Sequence, residues 1–158
     1  MPHKKDRMRF RVAVAFLGIL VLFSAGCSKE SKSEWNYCQD CSAAQWVGNY
    51  SGIGDYYNGL TNVQYLDLTT NVVVSAISET GLKIEVDVPD YYQISFTALK
   101  NDNAYYINVP GSTKSLAITL ALNGSSNRLT GSAKAYHYKA DTVIVDHSVG
   151  FEVIAERE

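Results

Sequence analysis

Leu82-Lys83-Ile84-Glu85-Val86-Asp87-Val88 sets an apolar residue at every even position and a charge at every odd one, until the run meets Pro89. Successive side chains of a strand point to opposite faces, so this segment reads as a strand with one face in a core and the other in water. That division of faces is the habit of antiparallel sheets. The same rhythm continues on both sides. Ile94, Phe96 and Ala98 alternate with Gln93, Ser95 and Thr97; Tyr105, Ile107 and Val109 lead to Pro110-Gly111; Leu116, Ile118, Leu120 and Leu122 line one further face. Turn signals separate the runs: Asn58-Gly59, Thr80-Gly81, Pro89-Asp90, Asn101-Asp102-Asn103 and Asn123-Gly124. Each supplies residues that tolerate positive φ or close a local turn.

Strands are expected at 46–56, 62–68, 71–78, 82–88, 92–99, 104–109, 115–122, 128–138 and 142–155, about eight in all if 62–78 is one. Spacing this short leaves no room for crossover helices, so the expectation is an all-β antiparallel meander. That number of strands closes a barrel or fills two stacked sheets, which removes exposed edges.

The head of the chain has another character. Five basic residues (Lys4, Lys5, Arg7, Arg9 and Arg11) precede Val12–Phe23, twelve unbroken apolar residues. A bilayer core of about 30 Å needs about 20 such residues in helix, so this run is short for a span and has the length of a signal-peptide core. Ser24-Ala25-Gly26-Cys27 follows, and it resembles the lipobox of bacterial lipoproteins, with Ser24 where Leu is commonest. The resemblance implies cleavage before Cys27 and acylation of its thiol, palmitate being one such chain. The polar run 28–34 then reads as a tether. The expected organisation is 1–26 signal peptide, 27–43 lipidated tether and 44–158 β domain. The location implied is the bacterial outer membrane or cell surface, lipid-anchored and facing periplasm or exterior.

Of 14 basic and 16 acidic residues, the first 26 positions hold five basic and one acidic. The body is therefore acidic, nine basic against fifteen acidic residues, which argues against a nucleic-acid partner. No G-x-S-x-G, H-E-x-x-H or phosphate-binding glycine loop occurs, so neither an enzyme nor a cofactor is expected.

Cys38-Gln39-Asp40-Cys41 remains. A c-type haem site needs His after the second cysteine, and Ser42 stands there. A thioredoxin-like site belongs at a helix start in a βαβ unit. His137 and His147 complete a nominal Cys2His2 zinc set, without the usual tight spacing. The main expectation is no metal and a local disulfide between Cys38 and Cys41, suited to an oxidising compartment.

Trp46-Val47-Gly48-Asn49-Tyr50 opens the first expected strand with aromatic, glycine, aromatic. This resembles the opening of calycin-type barrels, the lipocalins and fatty-acid-binding proteins. WVGNYSGIGDYY (46–57) and GSSNRLTGSAKA (124–135) are also similar to small Gram-negative lipoproteins described as calycin-like. The resemblance implies a barrel, with a β-sandwich as the alternative, holding a small apolar or amphipathic ligand inside. All eleven tyrosines lie in the body, several as doublets beside turns: Tyr56-Tyr57, Tyr91-Tyr92 and Tyr105-Tyr106. Inward rings would line a cavity; outward rings would form a stacking platform for a sugar or peptide. His137 and His147 fall on apolar faces of the last hairpin. Candidate ligand contacts are Trp46, Tyr50, Tyr105, His137 and His147. The second functional reading is an envelope-interaction or glycan-binding lipoprotein with no internal ligand.

Overall fold

The computed structural model describes residues 34–99, 105–124 and 126–156. The signal segment, Cys27 and the tether through residue 33 lie outside the described residues. The described elements are β1 (Asn36–Tyr37), α1 (Ala43–Trp46), β2 (Gly48–Asn58), β3 (Val63–Ala76), β4 (Gly81–Val88), β5 (Tyr92–Leu99), β6 (Tyr106–Val109), β7 (Lys114–Asn123), β8 (Ser126–Lys139) and β9 (Thr142–Glu156). The class is all-β and antiparallel, as the alternation predicts. β2 to β5 form one four-stranded meander and β6 to β9 another, and β9 pairs back onto β2 to weld them into one nine-stranded sheet, with β1 laid on β7.

The closed barrel expected from the calycin resemblance is not completed. Among the described residues no ladder joins β5 to β6, although the two strands come close. β6 is four residues long, already bonded to β7 on one side, and is followed by Pro110, which has no N–H to offer. A side chain spans the opening instead: the Lys114 ammonium donates to the Ser95 carbonyl and lies 5.2 Å from the Phe96 ring centroid. An exposed cation at an open edge also discourages pairing with foreign strands.

The alternation read from sequence sorts the faces. Leu82, Ile84, Val86 and Val88 of β4 are buried, as are Val72 and Val74 of β3 and Leu116, Ile118 and Leu120 of β7, all on one packed core. Buried Thr70 satisfies its hydroxyl on the Leu68 carbonyl at 3.2 Å. β2 is able to lie tightly across its neighbour because Gly54 faces inward: a Cβ there would stand 2.5 Å from Thr70 Oγ1 and 2.7 Å from the Gly150 carbonyl oxygen.

One open reading is decided and one is corrected. Residues 63–76 make a single strand, with the irregularity falling near Asp67 (φ 53°), where a bulge against β2 lies between Gly54 and Tyr56. Trp46 does not open a strand but ends α1, and β2 starts two residues later. The local reason is the capping pair Ser42 and Gln45, in which the Gln45 amide oxygen accepts from the Ser42 N–H at 2.8 Å. The short helix turns Trp46 into the core, fully buried. The segment ahead of it packs on the sheet too. Cys38 and Cys41 are joined as a disulfide, both are buried, and the compact unit begins at Glu34.

Candidate functional site: an aromatic end

The strand directions put α1, the start of β2 and the end of β3 at one end of the sheet. The other end collects the β2–β3, β4–β5 and β8–β9 turns, and five aromatic rings gather there. Tyr56 shares the inward parity of Tyr50 and sits opposite Tyr65 on β3. The β4–β5 turn carries Pro89 at its second position and Asp90 at its third with φ 68°, the arrangement of a type II turn, closed by the Tyr91 N–H on the Val88 carbonyl at 3.0 Å. It delivers Tyr91 and Tyr92 beside Tyr56. His147 arrives from β9, on the parity of Val149 and Phe151.

Tyr56 is the centre. Its ring centroid lies 6.0 Å from Tyr65, 5.9 Å from Tyr91, 5.8 Å from Tyr92 and 6.0 Å from His147. Its hydroxyl and His147 Nδ1 share a hydrogen bond of 2.9 Å. Tyr92 and His147 stack at 4.4 Å, which spans the curl of the sheet, since three strands lie between β5 and β9. Tyr65 and Tyr91 form the outer layer, 4.8 Å apart and tilted by 58°, at 36% and 44% exposure, whereas Tyr56 is 2% exposed. Burial, and then the neighbouring Tyr65, raise the Tyr56 phenol above its ordinary pKa of 10.0. Tyr92 is raised likewise, by burial first, then by Tyr56 and the Asp146 carboxylate. Both phenols are thus neutral donors at physiological pH.

The expected contact residues do not form one site. Trp46 and Tyr50 are buried together at the α1 end, where the Tyr50 hydroxyl donates to the Trp46 carbonyl at 2.8 Å. Tyr105 stacks on Tyr37 at 4.8 Å, beside the chain segment that leads into α1. Only His147 reaches the aromatic end. The two histidines expected on apolar faces of the last hairpin have separate partners: His137 is half exposed and pairs with Asp146 Oδ1 at 2.7 Å. A bulge explains the separation. Ala135 pairs with His147 but Tyr136 pairs with Val145, so Asp146 is an extra residue and the parity of β9 breaks there. Among the described residues no group of three or more His, Cys, Asp or Glu is placed to hold a metal ion.

The rings that do converge, Tyr56, Tyr91 and Tyr92, belong to the sequence doublets beside turns, while Tyr65 carries no sequence signal beyond its type. Clefts open on the outer face of the sheet, one across β2 to β5 and one across β2, β3 and β9. Comparison with protein-family models, curated proteins and solved structures finds no match for this chain.

Proposed function

We propose that the protein is a lipid-anchored lipoprotein of the bacterial envelope that binds a glycan through its aromatic end. The observation that carries the reading is the pair of exposed rings, Tyr65 and Tyr91, backed by Tyr56, Tyr92 and His147. Rings already fixed by the layer behind them lose little conformational freedom on contact, so stacking translates efficiently into affinity. A pyranose presents one apolar C–H face and a hydroxyl rim, which suits an aromatic surface with phenol groups at its margin. Cys27 would carry the acyl chains, and burial of their methylenes, at about 0.8 kcal/mol each, would hold the chain on the membrane. An apolar ligand inside the sheet gains less support, because the inward face is occupied by packed side chains and both ends carry buried aromatics, Trp46 at one and Tyr56 at the other.

The test is calorimetric titration of the full chain in detergent with chitohexaose and cellohexaose. Binding by the parent and a loss of about fivefold in Tyr91→Ala and Tyr65→Ala, in keeping with about 1 kcal/mol for one aromatic contact, is the expected result. Unchanged binding by both variants, or saturable uptake of a fluorescent fatty acid with no response to either glycan, overturns the reading.

A further inference from the structure

Away from the aromatic end, the outer face of β2 to β5 holds a cleft of about 420 Å³, within the ordinary size range of small-molecule sites. Sheet register explains its shape. Ser51, Asn71, Asp87 and Gln93 stand side by side across four strands, and Val73 and Glu85 are neighbours in the next row. Strands spaced by about 4.8 Å make the first row about 14 Å long.

The two carboxylates differ. Glu85 is matched by Lys83 at 3.1 Å. Asp87 is half-buried and has no ion-pair partner among the described residues, and no Lys or Arg lines the cleft. The cleft therefore offers one uncompensated negative charge, the Ser51 hydroxyl, three amides (Asn49, Asn71 and Gln93) that both donate and accept, and the methyl groups of Val73. Anions are disfavoured here, both by Asp87 and by the acidic excess of the body.

We propose that this cleft binds a small hydroxylated amine of the amino-sugar class, with its ammonium on Asp87, its hydroxyls on Ser51, Asn71 and Gln93, and a ring face on Val73. This site shares no residue with the aromatic end and stands independently of the reading given to that end. The experiment is amide-resolved NMR of the full chain in detergent micelles, titrated separately with glucosamine, N-acetylglucosamine and glucuronate. Glucosamine is expected to move the Ser51, Asn71, Asp87 and Gln93 resonances saturably and to bind about tenfold more tightly than N-acetylglucosamine, the scale of one hydrogen bond to a charged group. Glucuronate should leave them in place, and Asp87→Asn should bring glucosamine down to the level of its acetylated form. Absence of a saturable shift, equal response to all three sugars, or shifts confined to Tyr91 and Tyr92 would overturn the proposal.

Discussion

Tyr56 joins more of the aromatic end than any other single side chain, through four ring contacts and a hydrogen bond to His147. Its phenol and that of Tyr92 are raised above 10.0, so the unfolded chain releases these two protons before the folded chain does. Their contribution to stability is complete below about pH 10 and is lost as the pH rises through the folded-state values, because the unfolded state then binds fewer protons. Titration of phenolate absorbance should show two of the eleven tyrosines ionising after the rest, with the melting temperature falling from about pH 10 upward. A single titrating class would remove the buried phenol from the account. At this scale the sequence was partly legible. Doublets beside turns pointed to the rim, but which rings meet depends on how far the sheet curls. Nothing in the local sequence around His147 announced the extra residue at Asp146 that separates it from His137.

Among the elements, β4 was read almost to the residue, since its strict alternation admits one assignment. α1 was missed because Trp46, Gly48 and Tyr50 continue the parity of β2, and the capping signal Ser42 to Gln45 serves a helix of only four residues. Propensity carries little weight in an element that short; packing of Trp46 into the core decides it. β2 depends on the absence of a side chain at Gly54. Gly54→Ala should destabilise the fold by about 1–3 kcal/mol, the usual range for overpacking, because the Gly150 oxygen 2.7 Å from the new methyl is backbone and moves only with its strand. Chemical denaturation would register this as a lowered midpoint with an unchanged slope. A midpoint equal to that of the parent would mean that β2 lies further from β9 than described.

For the whole molecule, antiparallel all-β architecture was evident from sequence, while closure was not, because it depends on whether a four-residue β6 can pair on both sides. The unlaced seam has a measurable signature. Hydrogen exchange should find alternate amides of β5 exchanging quickly, since only those bonded to β4 are protected, whereas β4 is protected along its length by ladders on both sides. Even protection throughout β5 would show that the seam is laced in solution.

The β2–β9 weld also has a kinetic side. Ser51 pairs with Ile154, the first long strand with the last, so no continuous sheet exists until the final residues of the chain are in place. Contacts between such distant positions are entropically slow to form, which makes this topology a late closer. Until β9 docks, the β2 to β5 meander has an open edge at β2, so joining the two meanders is the slow, non-local step of folding.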